Sequence, residues 1–400
     1  MEIVPPKFNP IPFPYHCVLE MTIENITNLG LGIGRHQGWV IMVPHVLIGE
    51  RIRCRIYRNH SNYSEGDLVE ILTPSRHRVT PRCPQFTICG GCQYQHIAYD
   101  IQLQLKQQQV KELLQRLAQE IWEVQPTLGT EQIYHYRSKL TPHFSKNAAA
   151  IGFLKLGSRS KIVDVPQCCI ATHLINERLK TLREEVKAKS FRRGGTLLLR
   201  DDGQKVITDP KQIITQYIGG FKFQVYAGEF FQNNPYILEA FTRYITREAQ
   251  GEGIYNLIDA YCGVGVFAIC SSANFDTVTA IEINERAIQL ARQNAQHNGV
   301  ENVRYMVGTA ESIFTGTLPE ARHTALILDP PRKGCDLAFL EQLVAFAPQK
   351  VVYVSCSPDT QARDAKFLLQ YHYKINRIQP FDLFPQTRHI ENVITFIKCQ

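Results

Sequence analysis

The sequence has no long apolar run and no low-complexity tract. Nowhere do about 18 apolar residues follow one another, the length that a membrane-spanning helix requires, so an integral membrane protein is not expected. Charged residues make up only 20% of the chain against 44% apolar ones, and no tract is dominated by Pro, Gly and Ser or by charge of one sign. A largely disordered chain is therefore also not expected, and the 400 residues predict about two to four packed domains.

The N-terminal segment lacks the basic stretch and the following apolar stretch of a secretory signal. It reads MEIVPPKFNPIPFPYH and is rich in proline instead. The chain nevertheless contains twelve cysteines. In a chain that is not exported these are expected to be reduced thiols in the cytoplasm, and clustered cysteines then indicate metal binding or catalysis rather than disulfides.

The net charge of +7 is distributed unevenly. Residues 1–100 carry +1, residues 101–217 carry +8 and residues 218–400 carry −2. A local arginine cluster also occurs early in the chain, at Arg51, Arg53, Arg55 and Arg58. This pattern suits a nucleic-acid partner better than a membrane surface, although an ordinary solvated surface would give the same total charge.

Three sequence patterns follow one another and predict a multidomain chain. Five short alternating segments with glycine turns predict a small N-terminal β-barrel of OB-like type within residues 1–75. Residues 76–217 mix short strand-like segments with helical periods at 101–122 and around 173–190, and they predict a central α+β domain. From 218 to 400 strands and helices alternate, which predicts an α/β, Rossmann-like domain with a doubly wound sheet.

A cysteine-rich loop lies near the start of the central region. Cys83, Cys89 and Cys92 have the spacing C-x5-C-x2-C, and Cys168 or Cys169 is a candidate for a fourth ligand. Structural zinc sites usually use two close cysteine pairs, whereas three close cysteines with a distant fourth are more typical of iron–sulfur clusters. The spacing therefore favours an iron–sulfur cluster, with zinc and unligated thiols as the alternatives.

The last region carries the pattern of a nucleotide site. The segment DAYCGVGVF, residues 259–267, has two glycines in a turn after a predicted strand, and Glu282 ends the next strand, where an acid can bind ribose hydroxyls. These features suit S-adenosylmethionine as well as NAD. Asp329 and Arg332, in DPPR, end a later strand and are expected at the same crevice, where the arginine could hold a uracil carbonyl or a phosphate.

Two further residues are candidates for catalysis. Cys356, in SCSP, follows a buried strand, so its thiol is expected at the crevice edge, where it can act as a nucleophile. Glu391 ends the segment DLFPQTRHIE just before a final strand and is a candidate general base. Standing alone, each would more often be a structural cysteine or a solvated acid.

Taken together, these motifs resemble a family, the RNA 5-methyluridine methyltransferases. The resemblance rests on C-x5-C-GG-C, FFQNN, DAYCGVGVF, AIEIN, DPPRKG, SCSP and DLFPQTRHIE, which occur in family order over essentially the whole chain. It implies a TRAM domain at the N-terminus and a class I methyltransferase domain at the C-terminus. It also implies an RNA partner. The presence of both barrel and cysteine loop favours a 23S rRNA enzyme, with a tRNA T-loop enzyme as the alternative.

The resemblance also assigns roles to individual residues. It implies a 4Fe-4S cluster on Cys83, Cys89, Cys92 and Cys168. It places S-adenosylmethionine at Gln232, Tyr261, Glu282 and Asp329, and the chemistry at Cys356 as nucleophile, Glu391 as base and Arg332 as stabiliser of the enolate. Phe230 or Phe231 would stack on the target base, and the segment YRSK (Tyr136, Arg137, Lys139) would contact RNA. Val266 departs from the family pattern, which usually has Asn, Thr or Ser there.

Two other classes of function compete with this interpretation. One is a non-catalytic RNA-binding protein with a degenerate methyltransferase domain, for which Val266 and SCSP leave some room. The other is an iron–sulfur redox enzyme that uses NAD, which leaves DPPR and the pair of Cys356 and Glu391 unexplained. The expected protein is a cytoplasmic monomer with no membrane partner.

Overall fold

The computed structural model describes residues 4–118, 121–146, 149–315 and 318–399. Its N-terminal part is a closed five-stranded β-barrel. Around the barrel the strands follow the order β1-β2-β3-β5-β4; they are β1 (Val18–Ile26), β2 (Leu31–His36), β3 (Trp39–Pro44), β4 (Arg51–Asn59) and β5 (Ser64–Thr73). Alternate side chains such as Ile23, Ile41 and Ile52 fill its interior, as the period of two predicts. The predicted small barrel is confirmed.

The arginine cluster of the barrel is largely neutralised. Three of the four arginines of β4 meet acids on the two strands beside it: Arg51 and Arg53 both lie 2.9 Å from Glu20, and Arg55 lies 3.4 Å from Asp67. Such exposed pairs stabilise little, but they balance the local charge. This cluster is therefore not the unbalanced basic surface that the sequence suggested.

The cysteine loop leads into a long helix, α1 (Tyr99–Ala118). The predicted helix at 101–122 is present but shorter, and residues 119 and 120 lie outside the described part of the chain. Ile121, expected on its apolar face, is exposed beyond the end of the helix. Val110 and Leu114 of α1 pack on the C-terminal sheet, so this helix joins the central region to the last one.

The central region consists of two small antiparallel sheets and one helix. Its strands form the orders β10-β7-β8-β9 and β12-β11-β6. The elements are β6 (Lys139–Leu140), β7 (His143–Phe144), β8 (Ile151–Leu154), β9 (Ile162–Asp164), α2 (His173–Lys187), β10 (Gly195–Thr196), β11 (Leu199–Asp201) and β12 (Val206–Ile207). The α2 helix begins where the Thr172 side chain accepts a hydrogen bond from the Ile175 amide, and it packs its apolar face on these sheets.

A hairpin crosses the expected division at residue 218. Its strands β13 (Ile213–Ile218) and β14 (Phe221–Tyr226) pair over their whole length, from Ile213 with Tyr226 to Ile218 with Phe221. Phe223 and Val225 belong to the same apolar cluster as the C-terminal sheet. The hairpin therefore packs as part of the last region.

A seven-stranded sheet forms the centre of the C-terminal region. Its order is β17-β16-β15-β18-β19-β21-β20, and neighbouring strands run parallel except for β21, which is antiparallel to both of its neighbours. The elements are α3 (Pro235–Ala249), β15 (Asn256–Ala260), α4 (Val266–Ser271), β16 (Thr277–Glu282), α5 (Glu285–His297), β17 (Val303–Val307), β18 (Thr324–Leu328), α6 (Leu337–Phe346), β19 (Lys350–Ser355), α7 (Pro358–Gln370), β20 (Tyr373–Phe381) and β21 (Glu391–Lys398).

Helices cover both faces of this sheet. Successive residues of the inner strands alternate between two apolar clusters, one against α3, α4 and α5 and the other against α1, α6 and α7. This arrangement explains why the strands are apolar throughout, and it confirms the predicted doubly wound α/β architecture. Among the described helices, none has the length and apolar character needed to cross a membrane.

Candidate active site

Four of the predicted site residues lie at one edge of the parallel sheet. Tyr261 follows β15, Glu282 ends β16, Asp329 follows β18 and Cys356 follows β19. These strands are neighbours in register, with Ala260 opposite both Ile281 and Leu328. In open α/β sheets the crevice at the carboxyl ends of the strands is the ligand site, so the fold itself brings these residues together.

The glycine turn between β15 and α4 is shaped for a close ligand. Gly263 and Gly265 have φ angles of 53° and 85°, in the left-handed region that favours glycine. A Cβ atom at Gly265 would lie 2.9 Å from the hydroxyl of Tyr305, so no larger residue fits there without displacement. The amide of Gly263 donates to Glu282 Oε2 at 3.2 Å, which holds the carboxylate beneath the turn.

A cleft beside this turn brings three of the predicted cofactor residues together. Gln232, Tyr261 and Asp329 line it with Val264 and Val266. The Gln232 Oε1 atom is buried and has no hydrogen-bond partner in the described structure. Because an unpaired buried acceptor is costly, its orientation into the cleft is best explained by a ligand that donates to it.

The thiol of Cys356 lies among three charged or ionisable groups. Burial first, and then the carboxyl groups of Glu391 and Asp329, raise the pKa of the Cys356 thiol to about 11, while the nearby Arg332 guanidinium opposes them. The pairing of Ser355 with Asn392 across β19 and β21 places Glu391 beside this thiol. The predicted nucleophile, base and arginine are therefore brought together.

The two carboxyl groups are also perturbed. Glu391 is only 3% exposed, and burial followed by the charge of Asp329 raises its pKa well above the usual value. Burial raises the pKa of Asp329 to about 7. Three acidic groups thus share one site with the single guanidinium of Arg332, so they cannot all be ionised before another cation arrives.

His389 is held in its neutral form. Burial and the charges of Arg388, Arg332, Lys106 and Arg137 lower its pKa to about 3. Its ring lies 5.8 Å from that of Phe384, at a steep angle. The histidine therefore packs in the loop before Glu391 and is uncharged at neutral pH.

The structure separates the two candidate stacking residues. Phe230 is 73% exposed at the cleft, whereas Phe231 is 5% exposed and lies in the core, 6.5 Å from the Phe223 ring. Phe230 is thus free to meet a base. In the YRSK segment, Tyr136 is fully buried and donates to the Pro385 carbonyl at 3.0 Å, so the expectation that it contacts RNA is wrong.

Five cysteines surround a cavity in the central region. They are Cys83, Cys89, Cys92, Cys168 and Cys169. The Gly91 amide donates to Cys89 Sγ at 3.4 Å. The pKa of Cys83 is lowered to about 6, first by the Cys169 side chain and then by the amides of Gln85 and Phe86. The amides of Ile170 and Ala171 oppose the burial that raises the pKa of Cys168. In the described part of the chain no three Cys, His, Asp or Glu side chains are close enough to hold one metal ion. The cavity thus gathers the predicted ligands without the geometry of a single-ion site.

The crevice, the glycine turn and the thiol beside a carboxyl group define a nucleotide-cofactor transferase. Residues 194–399 match the family described as tRNA (Uracil-5-)-methyltransferase, and residues 18–69 match the TRAM domain. The chain belongs to this family of S-adenosylmethionine-dependent RNA (uracil-5-)-methyltransferases. Its N-terminal barrel is accordingly a TRAM domain, as expected.

Relatives match over nearly the whole chain. A tRNA (uracil(54)-C(5))-methyltransferase of Schizosaccharomyces pombe is 38% identical over 97% of this chain and 80% of its own length. The protein of the same name from Saccharomyces cerevisiae is 32% identical over 96% and 74%. An uncharacterized RNA methyltransferase of Clostridium tetani is 30% identical over 96% and 97%.

A solved structure shares the fold. It is the tRNA (uracil-54, C5)-methyltransferase of Pyrococcus abyssi in complex with S-adenosyl-L-homocysteine, with a TM-score of 0.74 and 24% identity. The match covers 95% of this chain and all of that one. The C-terminal sheet therefore has the methyltransferase fold that the resemblance implied.

The residues that hold the loop before Glu391 were not among the predicted site residues. Gln102 and Lys106 of α1 are completely buried and contact this loop through Gln386 and Asp382. One signal was present: these polar residues recur at helical spacing within the apolar stripe of α1, where a core-facing helix normally has aliphatic residues. Polar residues in such a stripe indicate polar partners in the core.

Proposed function

We propose that this protein transfers the methyl group of S-adenosylmethionine to carbon 5 of uridine 54 in tRNA. The observation that carries the reaction is the thiol of Cys356 with the Arg332 guanidinium near it and Glu391 beside it, at the edge of a methyltransferase sheet. The three groups have the chemistry that substitution at carbon 5 of uracil requires. This carbon is a poor nucleophile until a group is added at carbon 6.

The choice of tRNA over 23S rRNA rests on the relatives. The expectation of 23S rRNA came from the presence of the barrel and the cysteine loop. Two fungal proteins named as tRNA (uracil(54)-C(5))-methyltransferases match at least 96% of this chain, which includes both features. The long architecture therefore does not favour rRNA, and the tRNA alternative is the better supported one.

Twelve unpaired thiols suit the cytoplasm as the site of action.

The first step is nucleophilic addition. The thiolate of Cys356 forms a bond to carbon 6 of the uracil, and the electrons of the double bond move to carbon 5 and the carbonyl oxygen as an enolate. Arg332 stabilises this charge as well as the thiolate from which it comes. Because the target base must leave its stack to reach the crevice, the exposed ring of Phe230 offers it a new stacking surface.

The second step is methyl transfer and release. Carbon 5 forms a bond to the methyl group as the bond from that methyl to the sulfonium breaks, which leaves S-adenosylhomocysteine. Glu391 then accepts the proton from carbon 5, the bond between carbon 6 and the Cys356 sulfur breaks, and the thiolate is restored. Glu391 must be ionised to do this, and a cationic methyl donor bound in the cleft would favour that state before the methyl group is transferred.

The cleft residues fit the methyl donor. Gln232 supplies the unpaired buried acceptor, Glu282 lies under the glycine turn where ribose hydroxyls bind, and Asp329 can face the cationic amino-acid end. Val266 begins α4, whose N-cap Gly265 makes no side-chain hydrogen bond. Because the Val266 side chain is aliphatic, the cofactor receives no hydrogen bond from a side-chain hydroxyl or amide at that position.

We also propose that Cys83, Cys89, Cys92 and Cys168 hold a 4Fe-4S cluster. In such a cluster each thiolate binds a different iron, so the sulfurs stand farther apart than around one ion, in keeping with the cavity. The amides of Gly91 at Cys89, of Gln85 and Phe86 at Cys83 and of Ile170 and Ala171 at Cys168 favour the thiolate forms that bind iron, whereas none of the described backbone amides acts in this way on Cys169. The domains would be 1–75, 76–217 and 218–400, except that the whole hairpin of β13 and β14 packs with the last of them.

The reaction is tested with trapping. Cys356→Ala is expected to abolish methylation and the covalent adduct with 5-fluorouridine tRNA, while S-adenosylmethionine still binds by calorimetry. Glu391→Gln is expected to accumulate the methylated adduct on unmodified tRNA, because the carbon 5 proton has no acceptor. Cys399→Ala, outside the crevice, is the matched control. An active Cys356→Ala enzyme would refute the mechanism, and an enzyme that titrates with NAD instead would refute the whole assignment.

The target is tested in cells. Loss of the gene is expected to remove 5-methyluridine from tRNA, measured by mass spectrometry of separated tRNA and rRNA, with 23S rRNA unchanged. The reverse result would restore the rRNA assignment. Loss of the modification from neither pool would favour the non-catalytic RNA-binding class.

A further inference from the structure

The loop between β20 and β21 is held in a conformation that its own residues do not favour. Gln386 lies in this loop with φ of 70°, in the left-handed region where a side chain costs about 1–2 kcal/mol. It is also 2% exposed, so the strain is inside the protein. A strained residue persists only where its surroundings determine it, and such residues cluster at sites where geometry matters.

The cysteine loop supplies one side of the support. The backbone amides of Gln93 and Tyr94 both donate to the carbonyl oxygen of Gln386, at 3.1 and 3.0 Å. The Gln93 side chain accepts from the Arg388 amide at 3.2 Å and donates to the Gly90 carbonyl at 2.8 Å. Gln93 directly follows Cys92, so the segment that holds this loop is continuous with the cysteine loop.

The α1 helix supplies the other side. Gln102 is completely buried and forms a reciprocal pair with Gln386: its Oε1 accepts from the Gln386 amide at 3.0 Å and its Nε2 donates to Gln386 Oε1 at 3.1 Å. The same Nε2 atom also donates to the carbonyls of Tyr94 and Ile97. One amide therefore joins the helix, the segment after Cys92 and the loop.

We propose that Gln386, held by Gln93 and Gln102, positions the Glu391 carboxyl group for its step in the reaction. Only four residues separate Gln386 from Glu391, and the buried strand β21 begins at Glu391. A shift at Gln386 is thus passed to the carboxyl group, whereas none of the residues that line the cleft for the methyl donor belongs to this loop. The proposal rests on the proposed role of Glu391.

The test compares two buried glutamines of one helix. Gln102→Ala removes the pair with Gln386. Gln109→Ala, two turns farther along α1, removes an equally buried amide that bonds to the barrel carbonyls of Ile26 and Thr27 and to the hydroxyl of Tyr94. Both variants leave polar groups unpaired, so both are expected to lower thermal stability to a similar extent.

Only the Gln102 variant is expected to change the chemistry. For Gln102→Ala we expect kcat to fall about tenfold to a hundredfold, the cost of a misplaced catalytic group, with the KM for S-adenosylmethionine unchanged. The methylated covalent adduct should also accumulate on tRNA, since proton removal becomes slow. Gln109→Ala should keep the wild-type kcat and form no adduct. Equal kcat values and no adduct in either variant would overturn the proposal.

Hydrogen exchange gives a second measurement. Gln93→Ala removes the acceptor of the Arg388 amide without changing a cysteine, and it is expected to speed exchange in the peptide that spans residues 382–391. Unchanged exchange in this peptide in both Gln93→Ala and Gln102→Ala would refute the proposal that Gln93 and Gln102 hold Gln386. If Glu391→Gln itself gives no adduct, the covalent route has failed, and the exchange result still decides whether the loop is held in this way.

Discussion

Removal of the Lys106 ammonium group should be among the most damaging single changes in this protein. Lys106 Nζ lies 2.6 Å from Asp382 Oδ1, and both side chains have no solvent exposure. The carboxyl group also accepts from the Phe384 amide at 3.1 Å, so it fixes the start of the loop that leads to Glu391. In Lys106→Met a carboxylate would stay in the interior with no cation beside it.

The expected loss in the free energy of unfolding is about 3–5 kcal/mol, the cost of removing one partner from a buried pair. This loss exceeds the usual contribution of one hydrogen bond to stability, because the buried carboxylate of Asp382 is left without a cation beside it. In the double variant Lys106→Met with Asp382→Asn no charge remains, so its loss should be smaller than that of Lys106→Met alone. An exposed pair is the control: Glu184→Gln, which breaks the pair with Lys187, should cause no measurable change.

Urea unfolding followed by tryptophan fluorescence measures these changes. The chain has two tryptophans: Trp39 reports on the barrel, and Trp122 packs near α1 against the C-terminal sheet. The shift should therefore occur in the Trp122 transition. A loss below about 1 kcal/mol in Lys106→Met, or strict additivity in the double variant, would refute the reasoning from burial and charge.

Three further predictions concern the two sites. Binding of S-adenosylmethionine near pH 7 should release protons, because the sulfonium favours the ionised form of Asp329, whose pKa burial raises to about 7. Calorimetry in buffers of different ionisation enthalpy should show a release that declines above that pH and is smaller for S-adenosylhomocysteine, which lacks the sulfonium charge. Phe230→Ala should raise the KM for tRNA with stability unchanged, whereas Phe231→Ala should cost about 3–5 kcal/mol in unfolding experiments. Cys168→Ser should lose iron and visible absorbance and Cys169→Ser should keep both; the opposite result would exchange the two assignments.

Much of the crevice could be predicted because parallel strands end at one edge. Once buried strands alternate with helices, the residue after each strand has a known place, and this rule located Tyr261, Glu282, Asp329 and Cys356 together. Glu391 required more, since it begins the antiparallel strand β21, which lies between β19 and β20. Sequence alone gives no reason for that order, and only the family resemblance placed this carboxyl group beside the thiol.

The contacts that hold the loop before Glu391 could not be predicted. Gln102 and Gln386 are 284 residues apart, and Lys106 and Asp382 are 276 apart. Amphipathic periodicity shows that one face of α1 is buried, but it does not say against what. The prediction of a basic surface at the arginines of β4 was wrong for the opposite reason. Their charge is visible in the sequence, but the acids that balance it lie on β1 and β5, which sequence alone does not place beside β4.

The charges of the site place a constraint on the order of events. Burial, followed by the carboxyl groups of Glu391 and Asp329, raises the pKa of Cys356 to about 11, and Arg332 opposes them. Addition to uracil requires the thiolate. On the proposed mechanism, a cationic methyl donor bound in the cleft would favour both the thiolate and the ionised Glu391. The nucleophile would then be most active when the methyl donor is already bound.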